Sequence, residues 1–145
     1  MTEADVQRLL AERKLERVEP DPQTAREEIE TARRHIAAAA QIAELDPTLA
    51  FTGLYDAMRK AIQAHMRAHG YRLSKGPGAH VRTGEYALAA LDELDIEAHL
   101  DQFDALRQLR NQSEYEALFV EPDDVEQALE HARAIVDAVA AVLPQ

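Results

Sequence analysis

The 145-residue sequence contains no cysteine. Without thiols the chain can form no disulfide, no thiolate nucleophile and no thiolate metal site. The Gly-x-Ser-x-Gly turn of serine hydrolases is missing too, so no candidate for covalent catalysis is visible. The lack of cysteine fits a reducing compartment, and we therefore expect a cytoplasmic protein.

Long apolar runs are also missing. No stretch reaches the roughly 18 apolar residues of a membrane-spanning helix. Acidic residues stand among Met1 to Asp5, where an export signal would be basic and then apolar. We expect no membrane association. With 46% hydrophobic and 30% charged residues, the sequence predicts a single globular domain over residues 1–145.

Acidic residues are absent from one segment, Ala57 to Gly84, although the whole chain has a net charge of −11. This segment carries six basic side chains and hence a net charge of +6, which leaves −17 for the remainder. The six are Arg59, Lys60, Arg67, Arg72, Lys75 and Arg82. Two interpretations are open: these side chains pair with acidic helices elsewhere in the fold, or they form a face that binds phosphate.

Proline and glycine divide the chain into helices. Asp21–Pro22 and Asp46–Pro47 are typical of an N-cap followed by proline in the first helical turn. They predict the starts of the second and third helices, and Gly70 predicts the end of the third. The remaining helices are expected over residues 3–17, from Val81 to Leu94, from Ile96 to Leu118 with Asp95 as the cap, and from Glu121 onward.

Apolar residues recur at steps of three and four through the long helices, most clearly from Val125 to Leu143. No sustained alternation of apolar and polar residues is present, so we expect no sheet. The sequence therefore predicts an all-α fold, an antiparallel four-helix bundle with one or two shorter accessory helices.

The apolar line of the fifth helix runs through Phe103 and Leu106 and then reaches Arg110. An arginine on a core-facing line needs partners, because a buried unpaired charge is very costly. Alternatively the line is rotated by one position. Leu106 and Leu109 would then face inward, and Arg110 would lie at the rim, paired with Glu114 four residues later.

These residues carry a resemblance to a known family. Arg110, Asn111, the three residues 112–114 and then Tyr115 resemble the motif of HEPN domains, which is Arg, a polar residue, about three variable residues and His. The chain length, the helix order and the turn from Gly76 to His80 are similar to an actinobacterial-type HEPN subfamily. In this sequence Tyr115 stands where the family has His.

The resemblance implies a helical bundle that forms a homodimer and places two motifs across the two-fold axis. It implies either a metal-independent endoribonuclease of toxin or defence type, or a non-catalytic module that binds RNA or a nucleotide. No metal or cofactor is implied; a cognate antitoxin or other partner protein is a further candidate partner. The implied catalytic residues are Arg110 and Asn111, with Tyr115 in the position of the motif histidine. His80, which follows the glycine-rich turn, is our candidate to substitute for the missing His.

Candidate residues for contacting nucleic acid are the basic side chains of the same region. They are Arg107 on the fifth helix and Arg67, Arg72, Lys75 and Arg82 in the acid-free segment. Arginine suits such a site because its planar fork can bind phosphate oxygens and stabilise the charge of a pentavalent phosphate.

Two other functions stay open. His65 and His69 have the i, i+4 spacing of a metal pair, although no acidic residue lies nearby and helix-end histidines explain them as well. A non-catalytic interaction module would bind a partner protein through the last helix or through a first helix set apart by Pro20 and Pro22.

Overall fold

A computed structural model describes residues 3–91, 94–115 and 120–144; the side chains of residues 3, 80, 103, 104 and 112–115 lie outside this description. Helices dominate it, so the prediction of an all-α bundle is confirmed. The elements are α1 (Glu3–Ala11), β1 (Leu15–Arg17), α2 (Pro22–Ile42), α3 (Pro47–His69), β2 (Tyr71–Leu73), α4 (Ala79–Ala90), α5 (Glu97–Asp101), α6 (Phe103–Tyr115) and α7 (Pro122–Val142).

The two Asp-Pro pairs begin helices as predicted. The carboxylate of Asp21 accepts a hydrogen bond from the backbone N–H of Thr24, and that of Asp46 accepts one from Leu49, both at 3.1 Å. Each bond satisfies a backbone donor that the first turn of a helix leaves without a partner. At the other end of α3, Gly70 adopts a left-handed conformation with φ of 81°, which an L side chain rarely tolerates.

The expectation of no sheet is wrong. Leu15–Arg17 pairs antiparallel with Tyr71–Leu73, with Glu16 opposite Arg72. The first helix therefore ends at Ala11 and not at residue 17, and Arg13 follows with φ of 61°. Three-residue strands are too short to show an alternating pattern. The first helix is not set apart either, because its Val6 and Leu9 are buried in the core.

Other boundaries also differ. The expected fifth helix is two helices, α5 and α6, and α4 covers residues 79–90 and not 81–94. Asp95 does not cap α5: it has φ of 56°, and the residue at the N-cap is Ile96. The expected end at Leu118 lies outside the described residues.

Helix α3 lies at the centre of the bundle. It packs against α2 on one side and α7 on another, with α4 and α6 completing its surroundings. Its fully buried side chains are Phe51, Leu54, Tyr55, Met58 and Ile62. The alanines of α2 let α3 approach closely, and the Val125–Leu143 stripe of α7 supplies buried residues from Val125 to Val139. Within the described ranges, no helix has the length and hydropathy needed to cross a membrane.

Candidate phosphate-binding site

Arg110 faces α3 across the α3–α6 contact. Its guanidinium carbon lies 5.4 Å from the centroid of the Tyr55 ring, which is fully buried, a geometry typical of a cation–π contact. Leu106, Leu109 and Arg110 are all half-buried. Leu109, expected inward in the rotated register, and Arg110, expected inward in the first, therefore both face the core in part. Arg110 is neither fully buried nor fully exposed.

Two further arginines lie near the same ring. Burial raises the pKa of Tyr55 to about 12, while the positive charges of Arg110, Arg59 and Arg107 act to lower it. The phenol is therefore neutral at physiological pH. We refer to Arg59, Arg107 and Arg110 as the arginine cluster.

Arg59 is the member of the arginine cluster that lies on α3. Its Nη2 lies 3.6 Å from Oδ1 of Asp56 one turn earlier. Its Nε is buried and has no hydrogen-bond partner among the described residues. A buried donor of this kind is costly unless a ligand or water accepts its hydrogen bond.

Of the motif residues, Asn111 is half-buried next to Arg110, and its Oδ1 lies 3.5 Å from Nη1 of Arg110. Tyr115 is the last residue of α6 and His80 is in the first turn of α4, but both side chains lie outside the described part of the structure. The same holds for Glu114, so the structure leaves its predicted pairing with Arg110 untested.

Arg67 and Arg72 lie away from the arginine cluster. Arg67 and Arg72 line a cleft of about 200 Å³ at the C-terminal end of α3. Arg67 is twelve residues from Tyr55, which corresponds to about 18 Å along a helix. Lys75 is exposed, and Arg82 Nη2 donates a hydrogen bond to the Gly76 carbonyl at 2.9 Å.

Pairing with acidic residues accounts for part of the acid-free segment. Arg72 Nε donates to Glu16 Oε2 at 2.7 Å, and Lys60 Nζ lies 3.8 Å from Glu28 Oε2. The interpretation as pairing with acidic helices is therefore confirmed for Lys60, whose partner Glu28 lies on α2, whereas the partner of Arg72 lies on strand β1.

His65 is buried in the core, and His69 is half-buried beside it. Nδ1 of His65 is hydrogen-bonded to the Tyr86 hydroxyl at 2.8 Å, and Nδ1 of His69 to the His65 carbonyl at 2.9 Å. The two rings stack with centroids 4.1 Å apart. Among the described residues no group of three metal-ligating side chains is present.

Comparison with known proteins decides the family. A family model for the HEPN domain matches residues 23–142. The chain belongs to the HEPN domain family. The match runs from α2 to the end of α7, so α1 and β1 precede the part shared with other HEPN domains. Comparison with curated proteins and with solved structures finds no match.

In this HEPN domain, sequence reasoning found Arg110, Asn111 and Arg107 but gave no role to Tyr55 or Asp56. Tyr55 was indistinguishable from the other core residues of α3 in the apolar pattern. Arg59 was visible only as one of six basic residues in the acid-free segment. Its position beside Tyr55 depends on the packing of α6 against α3.

Proposed function

We propose that this HEPN protein binds a phosphate group of RNA or of a nucleotide at the arginine cluster. The observation that carries the proposal is the guanidinium of Arg110, held over the Tyr55 ring in the company of Arg59 and Arg107. A guanidinium donates two parallel hydrogen bonds to phosphate oxygens. Stacking on a buried ring restricts its orientation in advance, so less freedom is lost when a ligand binds.

The charge of the whole chain makes such binding local. With a net charge of −11, most of the surface repels a polyanion. Phosphate binding is therefore expected to depend on a few arginines and to weaken as salt concentration rises.

Cleavage of RNA is the second candidate, in a toxin or defence role. The Arg110–Asn111 pair that begins the family motif is present, and Arg110 can stabilise the charge on a pentavalent phosphate. Tyr115, however, stands in the position of the motif histidine. Since tyrosine has an unperturbed pKa of about 10, it is a poor general base at neutral pH. Recognition therefore ranks above cleavage.

We also propose that the protein is a homodimer, because HEPN domains often dimerise. Light scattering coupled to size-exclusion chromatography measures the mass in solution. A monomer at micromolar concentration would contradict this part of the proposal.

The test compares the parent with Arg110→Ala and Arg110→Lys on a panel of labelled RNAs without added metal. Arg34→Ala is the matched control, since Arg34 is an exposed arginine on α2 whose Nη2 donates to Thr31. Both cleavage and equilibrium binding are measured, the latter over a range of salt concentrations.

We expect the parent and Arg34→Ala to bind RNA, and Arg110→Ala to bind it more weakly with a salt slope smaller by about one. Arg110→Lys should recover only part of the affinity, because lysine lacks the planar fork. Cleavage lost with Arg110 would add ribonuclease activity to binding. RNA binding that is unchanged in Arg110→Ala would contradict the arginine cluster as the phosphate site. A parent that binds neither RNA nor a nucleotide would favour the protein–protein interaction module.

A further inference from the structure

A groove between α2 and α3 lies beside the arginine cluster. Its volume of about 320 Å³ falls within the range of small-molecule sites, which begins near about 300 Å³. Its walls include the apolar side chains of Ala38, Ile42 and Leu49. Space remains between the helices because Gly53 faces Ala39: a Cβ placed on Gly53 would lie 4.0 Å from that of Ala39.

Polar groups line the edge of this apolar groove. They are His35 on α2 and Thr52 and Asp56 on α3. The Thr52 hydroxyl donates to the carbonyl of Thr48 at 3.2 Å, so its oxygen can still accept a hydrogen bond. An apolar recess with a few polar atoms at its rim suits a flat, partly polar ring.

Asp56 links the groove to Arg59 of the arginine cluster. Asp56 lines the groove and also lies 3.6 Å from Arg59 of the cluster. Arg59 lies one turn after Tyr55 on α3, and the guanidinium of Arg110 lies 5.4 Å from the Tyr55 ring. A ligand that fits both features needs a planar, partly apolar group attached to an anion.

We infer that the α2–α3 groove binds the nucleobase of a nucleotide whose phosphate lies at the arginine cluster. The inference rests on the proposed phosphate site and adds the part of the ligand that the groove accepts. A base in the groove covers apolar surface of Ala38, Ile42 and Leu49, and its polar edge meets Thr52 and Asp56. A sugar phosphate without a base would contact only the arginine cluster.

The experiment measures binding of adenosine monophosphate and ribose 5-phosphate to the full chain by calorimetry. Ala38→Phe fills the groove from an exposed position on α2, so it leaves the core intact. Ala40→Phe is the matched control, because Ala40 is an exposed alanine on the same helix that does not line the groove. Arg110→Ala tests the phosphate contact, and circular dichroism verifies that each variant is folded.

We expect the parent and Ala40→Phe to bind the nucleotide about tenfold more tightly than the sugar phosphate, as burial of one face of the base against apolar side chains would provide. Ala38→Phe should lose this difference and keep its affinity for ribose 5-phosphate, whereas Arg110→Ala should weaken both ligands. Equal affinities for the two ligands in the parent, or an unchanged difference in Ala38→Phe, would overturn the groove assignment alone. Nucleotide binding that survives in Arg110→Ala would instead overturn the phosphate site on which the inference rests.

Discussion

Replacing His65 by glutamine is expected to make the protein less sensitive to mild acid. The imidazole is 4% exposed and is hydrogen-bonded to Tyr86, with the ring of His69 stacked on it. Burial lowers the pKa of His65 from 6.5 to about 3, and the neighbouring His69 adds to the effect. The folded chain therefore holds His65 in its neutral form.

The sign and size of the effect follow from this difference in pKa. Because the folded pKa lies below the unfolded value of 6.5, the stability from this group is complete above pH 6.5 and is lost as the pH falls towards about 3. As the pH falls from 8 to 5, His65 binds a proton in the unfolded state but not in the folded state. This difference lowers the free energy of unfolding by about 2 kcal/mol.

Urea denaturation at pH 8, 7, 6 and 5 measures this loss in the parent and in His65→Gln. Subtracting the two curves removes the contribution of the other titrating groups. The variant should be less stable than the parent at pH 8 but should lose about 2 kcal/mol less on acidification. His35→Gln, the same change at a half-buried position on α2, is the matched control for the substitution itself. If His65→Gln and the parent lose equal stability between pH 8 and pH 5, the buried neutral imidazole is not the cause.

Two further predictions concern backbone and cap positions. Gly70→Ala should lower the free energy of unfolding by about 2 kcal/mol, because the residue has φ of 81° and a Cβ would lie 2.8 Å from the Val18 carbonyl oxygen. Gly53→Ala is the control, since its Cβ meets only ordinary contacts, and it should not destabilise the protein in the same urea titration. Equal losses of stability in the two variants would refute the argument. Asp21→Ala should lower the free energy of unfolding by about 1 kcal/mol through loss of the α2 cap, as measured by thermal and urea unfolding. Glu19→Ala, at an exposed neighbouring position, is the control. A loss in Asp21→Ala no larger than that in Glu19→Ala would contradict the prediction.

Features set by neighbouring residues were predictable from the sequence. The caps at Asp21 and Asp46 and the stop at Gly70 depend on residues within one turn of the helix end, so they appear in the local pattern. The apolar stripe of α7 is equally local, since a helix presents every third or fourth residue to one side. The helix order and the all-α class followed from these features.

Features set by distant contacts were not predictable in this way. The strand pairing joins Glu16 to Arg72 across 56 residues, and neither strand is long enough to have a pattern of its own. In the candidate site, the position of Arg110 on an apolar line showed that the side chain needed a partner. That the partner is Tyr55, and that Arg59 lies beside it, depends on how α6 packs on α3.

The strand pair has a mechanical consequence for the α2–α3 hairpin. One end of the hairpin is closed by the short covalent connection at residues 43–46. At the open end, Val18 N–H donates to the Gly70 carbonyl and Asp21 N–H to the Arg67 carbonyl, both at 2.9 Å, next to the paired strands. The two helices thus form a frame fastened at both ends, and separating them requires several hydrogen bonds to break together. The groove between them is therefore shaped before a ligand arrives, and association should proceed in one kinetic phase without a slow opening step.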